Sequence, residues 1–428
     1  MKALVASDVM SSVSSERGGP TDPAHDARLR RGILDTQVSR PTAAVLVLGF
    51  LALIAGVPIT QAVQEVLAEE ESSLAALFEH APTEENLRQL EKDIEQASYA
   101  KELVQPRLQL WLSQFGRVGN KRALIGRDGF LFYTPGLTHL AGPSFLDPSV
   151  LDERRAVDAT VQPDPRPAIF ELAAFLKQRG IALVVFPVPD KTALQPRELH
   201  GRARPQVPHN IGWRDFARDL RAHEIALFDP TPQQLSATEP AHFMEQDTHW
   251  TPAWMHEVAG DLAQVVTRVG KLPVLQTEHK YSSVAQTAER VGDLVDMLKL
   301  PEEQSYFSPR EVQLAQVQNE AGELWASEPN ADVLLLGDSF TNVFSEDFMG
   351  WGEAAGLAPH LSLALGRPLD VIAQNDSGAF ATRKLLAAAL AGGEDRLAGK
   401  RVVIWEFAAR ELSVGDWKSV DYATSEAR

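Results

Sequence analysis

Two short segments carry residue types that could perform acyl-transfer chemistry together. In "GDSF" (337–340), Ser339 follows directly on the apolar run "DVLLL". A serine at a strand end can show its hydroxyl at the rim of a sheet, but that hydroxyl is almost never ionised at neutral pH and needs a base. "HFMEQDTHWTPAW" (242–254) sets Asp247 and His249 one residue apart, just before Thr251 and Pro252. Threonine then proline is the pattern of a helix N-cap and first helical position. An Asp two residues from a His in extended chain points both side chains the same way. The carboxylate can then fix the imidazole tautomer and leave the other nitrogen as a base. Each segment also has a plain reading: "GDS" is ordinary turn chemistry, and Asp247 and His249 fit a polar loop beside a core Trp250. A metal site of His242, Asp247, His249 and His256 matches no zinc spacing, and the chain has no cysteine. The two signals are independent, and together they make an Asp–His–Ser catalytic set the reading to test, with no metal.

Such a set needs a scaffold, and the surrounding pattern predicts one. Apolar runs at 181–188 ("IALVVFPV"), 225–228, 332–336, 369–373 and 401–405 read as strands buried on both faces. Helical patterns lie between them: one opened by Pro167 and closed by Gly180, one around Trp213, Phe216 and Leu220, one from Thr251 to about residue 268, and one over 381–393. Strands alternating with helices imply an α/β fold with a mostly parallel sheet, and ligands of such sheets bind at the carboxyl ends of the strands. "LIGRDGFLFY" (124–133) reads as two short strands around an Asp128-Gly129 turn. Residues 270–330 have little apolar periodicity and read as an excursion or lid.

With 44% hydrophobic and 23% charged residues, the 428-residue chain has the make-up of a globular protein. Its net charge of −17 excludes a phosphate-neutralising stripe and hence a nucleic-acid partner. Any acidic substrate must therefore be held by local cations. Lys191, Arg383 and Arg410 follow strand ends and are candidates, each also readable as a surface charge. Trp250, Trp351 and Trp405 fit either sugar platforms or the core. The uncharged run "TAAVLVLGFLALIAGVPIT" (42–60) is long enough to cross a hydrocarbon core of about 30 Å. Arg28, Arg30, Arg31 and Arg40 precede it, and Glu65, Glu69, Glu70 and Glu71 follow. The positive-inside rule then puts the N-terminus in the cytoplasm and the rest outside, in a bacterium the periplasm. The absence of cysteine fits an oxidising compartment. The expected layout is a disordered cytoplasmic tail (1–40), a transmembrane anchor (41–63), a helical stalk or arm (64–113) and a catalytic domain (114–428).

"GDSF" with a separate "DTHW" resembles the SGNH (GDSL-like) hydrolase superfamily. Placing the Asp/His block before the serine resembles the alginate O-acetyltransferase family, periplasmic enzymes that acetylate exported polysaccharides. The likeness runs from about residue 90 to 417 through "GNKRALIGRDGFLFY", "FPVPDKTALQP", "VGDLVDMLKLP", "MGWGEAAGLAPHLSLALGRPLDVI" and "VVIWEFAARELSVGDW". It is closer to anchored single-domain members than to those with an added carbohydrate-binding module, because little chain follows Trp417. The resemblance implies an SGNH-like three-layer α/β/α sandwich with permuted catalytic blocks, preceded by one transmembrane helix. It also implies Ser339 as acetyl-accepting nucleophile, His249 as base and Asp247 as its orienting acid. Asn375 and Gly378 are candidates for the oxyanion hole, or members of a simple Asn-Asp-Ser-Gly turn. No bound cofactor is expected: a multi-pass inner-membrane acyltransferase, with other exopolysaccharide-export proteins, would supply acetyl groups for a polysaccharide acceptor. The same triad would serve a carbohydrate esterase if water took the acyl group, and the sequence leaves both open.

Overall fold

A strand covered on both faces must be apolar at every position and send alternate side chains into different cores. Three strands of the structure, a computed structural model, meet this condition but for one buried glutamate, Glu406: β3 (Ala182–Val188), β7 (Val333–Gly337) and β9 (Val402–Ala408). With β4 (Ala226–Leu227) and β8 (Asp370–Ala373) they form a five-stranded, wholly parallel sheet in the order β4-β3-β9-β7-β8. The register pairs Val184 with Ile404, and Leu335 with Ile404 on the other side of β9. All five predicted strands are present. The residues described are 39–69, 81, 83–202, 206–235, 240–274, 280–375 and 379–422.

The alternation separates two cores. Val184, Phe186, Leu335 and Ile404 face the helices Pro252–Val269 and Leu357–Leu365. Leu183, Val185, Leu334, Leu336, Val403 and Trp405 face the helices Pro165–Gln178, Trp213–Ala222 and Ala381–Ala391. This is the expected three-layer sandwich. The first of these helices starts at Pro165 rather than Pro167, because the Asp164 side chain accepts from the Arg166 amide and caps it there.

Outside the sheet, β1 (Ala123–Ile125) and β2 (Leu131–Tyr133) form the hairpin predicted around Asp128 and Gly129, both at positive φ. The stretch read as an excursion holds a two-stranded antiparallel ribbon, β5 (Ser282–Arg290) and β6 (Arg310–Gln318), with the short helix Asp293–Leu298 between. Most of β5 is exposed, so it carries no apolar pattern to read.

The chain divides into two units, 1–105 and 106–428. The first contains the 29-residue helix Arg40–Ala68, long and apolar enough to cross a membrane by length and composition. Its Leu46, Leu48, Phe50 and Ile59 side chains are uncovered. The helix Glu84–Ala97 follows, capped by Thr83. The segment expected to be a disordered tail lies, apart from its last two residues, outside the described residues.

Candidate active site

Ser339 begins the four-residue helix Ser339–Asn342 directly beyond β7. The strand-to-helix turn is tight: a Cβ on Gly337 would lie 2.2 Å from Thr341 Oγ1, so only glycine fits there. Asp338 fixes the turn by accepting from the Phe340 amide (2.8 Å) and from the amide of Ala408, the last residue of β9 (2.9 Å). Beneath it, buried Glu406 accepts from the Asp338 amide (2.9 Å) and the Thr341 hydroxyl (2.8 Å). Burial, then the charge of Asp338, pushes Glu406 well above the usual carboxylate range.

Asp247 and His249 arrive from the other side, on a loop closed by a Phe243–Trp250 bridge and held at its exit by the Pro252–Val269 helix, whose cap is Thr251. Lys191 gathers this loop from within. Its buried ammonium donates to the carbonyls of Met244 (2.6 Å), Glu245 (3.0 Å) and Asp247 (3.0 Å). Burial lowers its pKa to about 7, against the pull of the Asp247 and Asp293 charges.

The two segments, 90 positions apart in sequence, meet at hydrogen-bonding distance. His249 Nδ1 lies 2.7 Å from Asp247 Oδ1, and His249 Nε2 lies 2.8 Å from Ser339 Oγ. A carboxylate can only accept, so Nδ1 carries the proton and Nε2 is left to accept from the serine hydroxyl. The His249 amide also donates to Asp247 Oδ1 (3.0 Å), while Oδ2 takes the Asp293 amide (3.2 Å) and the Trp351 indole N–H (3.1 Å). Burial alone would raise Asp247, but the hydrogen bond and charge of His249 outweigh it and hold the carboxyl below its ordinary range. For His249 burial acts downward, and the Asp247 hydrogen bond and charge reverse it to a raised pKa. The pair is therefore tuned to keep a charged acid beside a basic imidazole.

Asp293 is a site residue for which the sequence reading proposed no role. Its amide supports Asp247, and its carboxylate accepts from the Thr248 amide and hydroxyl at 2.7 Å each. Burial and the neighbouring Asp247 charge push Asp293 up to about 6. Donor atoms of Asp247, His249 and Asp293 lie within 4.8 Å of one another, but both carboxylates are already turned onto N–H and O–H donors, an arrangement that would oppose a cation. His256, once a possible ligand, pairs with His360 instead, ring nitrogen to ring nitrogen at 2.8 Å. Gly292 makes the approach possible, since a Cβ there would sit 2.3 Å from the Gln246 carbonyl oxygen and 2.8 Å from the Asp247 amide. Gly292→Ala is expected to push the Asp293 loop off Asp247, costing about 1–3 kcal/mol of stability and lowering kcat. Thermal unfolding and steady-state turnover check this; full turnover would show that the loop does not hold the acid.

Three expected substrate contacts are not made. Arg383 is fully buried, donating to the Ala379 and Lys418 carbonyls and lying over Trp405, so it pins the C-terminal segment. Lys191 is spent on the three carbonyls. Trp250 is sealed in the core against Phe340, 5.3 Å between ring centres, and cannot stack on a sugar. Asn375 accepts from the Asn342 side-chain amide and gives one of its two N–H groups to Met349 Sδ. Gly378 lies outside the described residues. Trp405 is core, and Trp351 serves Asp247 rather than a ligand. Among the described residues the Ser339 amide has no hydrogen-bond partner and adjoins the nucleophile, the position an oxyanion donor needs. Arg410 is half-buried beside Phe340 and Tyr133.

A parallel α/β/α sandwich with an Asp–His–Ser relay at the carboxyl ends of its strands defines a serine acyl-transfer class of enzyme. Residues 123–409 match the family described as "ALGX: SGNH hydrolase-like domain, acetyltransferase AlgX", and the chain belongs to that family. It is 25% identical over 317 residues to the "Probable alginate O-acetylase AlgJ" of Pseudomonas putida, covering 71% of this chain and 74% of that protein. The Pseudomonas aeruginosa protein of the same description is 29% identical over 204 residues, 47% of this chain and 48% of its own. In three dimensions the chain is similar to the "O-Acetyltransferase Domain of Pseudomonas putida AlgJ", with a TM-score of 0.50 and 22% identity over 70% of this chain and 94% of that one.

Proposed function

We propose that this chain transfers acetyl groups to hydroxyls of an exported polysaccharide through an acetyl-Ser339 intermediate. The carrying observation is the 2.8 Å contact between Ser339 Oγ and a His249 whose other nitrogen is held by Asp247. Ser339 Oγ attacks the acetyl carbonyl as its proton passes to His249 Nε2; the tetrahedral intermediate then collapses and the leaving group departs with that proton. A sugar hydroxyl next gives its proton to His249 and attacks the acetyl carbon, and Ser339 leaves with the proton restored. The Ser339 amide faces the oxyanion at both stages.

Membership in an acetyltransferase family and the likeness to alginate O-acetylases favour a sugar over water as the final acceptor. The uncovered apolar helix Arg40–Ala68, with arginines before it and glutamates after, supports an inner-membrane anchor with the catalytic unit in the periplasm. A membrane acyltransferase is then the partner that presents acetyl groups there, with no cofactor resident in the chain.

The test supplies the purified full-length chain with an activated acetyl ester, with and without oligosaccharides. Acetylation of Ser339 by mass spectrometry and acceptor-dependent acetyl-sugar are expected. Acetate release indifferent to every acceptor would make the chain an esterase instead.

A further inference from the structure

Four exposed apolar side chains of the second unit fall within one short stretch: Leu108, Trp111, Phe115 and Val118. Trp111 is 56% and Phe115 73% exposed, which is unusual for rings of this size. Leu108, Trp111 and Phe115 are spaced three and four, so they share one face of the helix Tyr99–Trp111 and its wider last turn, Leu112–Gly116. The Trp111 and Phe115 ring centres lie 5.7 Å apart. The other side of the helix is used inward: Ser113 is fully buried, and Gln109 donates to Ser113 Oγ (3.2 Å) and to the Val118 carbonyl (2.9 Å). Charge marks the same stretch. From Pro106 to Arg122 there are four basic residues and no acidic one, in a chain of net charge −17. Of these, Arg117, Lys121 and Arg122 are exposed beside the apolar group. The stretch is also bonded to the catalytic elements. Asn120 donates to the Met297 carbonyl (2.8 Å), and β1 follows at Ala123. Its partner β2 gives the Leu131 amide to the Glu245 carbonyl (2.8 Å), two residues before Asp247.

We propose that this face docks the catalytic unit onto a membrane surface bearing anionic lipid headgroups, with Trp111 and Phe115 in the interface and Arg117, Lys121 and Arg122 at the phosphates. This rests on the reading of the helix Arg40–Ala68 as a membrane anchor. An apolar helix face with aromatic residues, flanked by cations, is what binding in the plane of an interface requires, and tryptophan favours the headgroup level. A protein partner would also take the rings. The local excess of positive charge in an acidic chain decides for a surface of repeated negative charge. The rest of the chain is repelled by such a surface, so the patch selects which side faces it. An anchor in the same chain confines the unit near the bilayer, so a weak patch suffices. Because the stretch is tied through β1 and β2 to the Asp247 loop, docking fixes how the Ser339 rim is presented to a membrane-borne acyl donor.

A fluorescent label reads this directly. The chain has no cysteine, so Gln114→Cys, exposed beside Phe115, gives a single attachment point. The labelled full-length chain is placed in lipid nanodiscs of phosphatidylcholine, alone or with about one-third phosphatidylglycerol. Acrylamide quenches the label from water, and a headgroup-level nitroxide lipid quenches it from the bilayer. In anionic discs the label is expected to be shielded from acrylamide. Its lipid quenching there should be at least about threefold that in neutral discs and weaker at high salt. Trp111→Ser with Phe115→Ser is expected to remove that gain, as is Arg117→Gln with Lys121→Gln and Arg122→Gln. Turnover of a soluble acetyl ester should stay within about twofold in both variants, which shows that each is folded. Lipid quenching equal in both discs, or absent from both, would overturn the proposal. So would a label shielded from acrylamide yet untouched by the nitroxide lipid, since protein (a second copy or a partner) would then cover the face. Release of the unaltered chain from vesicles by an alkaline wash would remove the anchor and the inference with it. A docked chain without ester turnover would count against the acetyltransferase reading and leave the docking in place.

Discussion

Ser339→Ala is expected to lower turnover of an activated acetyl ester by about a millionfold, His249→Ala by a similar factor, and the double variant by no more than either. The reason is geometric. Ser339 Oγ and His249 Nε2 are 2.8 Å apart, and each is inert without the other: the serine has no base, or the base has no hydroxyl to deprotonate. Two groups acting independently would multiply their losses, so the double variant is the decisive measurement. Stability should hardly change for Ser339→Ala, because Ser339 is half-exposed and, among the described residues, its Oγ hydrogen-bonds to His249 alone. Mass spectrometry gives the second readout, with an acetyl group on Ser339 in the unaltered chain and none in the Ser339→Ala chain. Additive losses, or an acetyl group appearing elsewhere in Ser339→Ala, would sink the covalent route.

The sheet was legible because burial on both faces forces continuous apolar runs, and β3, β7 and β9 have them. The triad was legible for a different reason: a strand-end serine and an Asp–x–His before a capped helix are local patterns, even though the contact between them is not. What escaped was long-range or sealed. Asp293 acts through its amide and through Thr248, and no spacing announces that a loop will fold back onto Asp247. Arg383 and Lys191 looked like rim cations because they follow strand ends, and sequence position does not show that carbonyls enclose them. Asn375 stands just beyond β8, as an oxyanion donor would, and its position does not announce that Asn342 and Met349 hold its side-chain amide. The β5–β6 ribbon was missed because the exposure of β5 removes the apolar alternation by which strands are recognised.

Asp247→Asn is expected to lower kcat by about 10⁴-fold and to move the acid limb of the pH–rate profile downward. All four neighbours of the Asp247 carboxylate are donors: the His249 amide and Nδ1 at Oδ1, and the Asp293 amide and Trp351 indole at Oδ2. An asparagine must place its NH₂ against one of these pairs. Turned toward His249, it takes the Nδ1 proton's place, and the imidazole then carries its proton on Nε2 and cannot accept from Ser339. Turned toward Asp293 and Trp351, it opposes two N–H groups and loosens the loop. His249 must be neutral to act, and Asp247 raises its pKa above the ordinary 6.5, so activity of the unaltered chain is lost as pH falls through a value above 6.5. Asp293, pushed up to about 6, protonates near that range and couples to the same limb. Removing the Asp247 charge leaves burial as the main influence on His249, which lowers its pKa, so the residual activity should persist to lower pH. A variant within about tenfold of the unaltered kcat, or one with an unmoved acid limb, would mean that Asp247 neither orients His249 nor sets its charge.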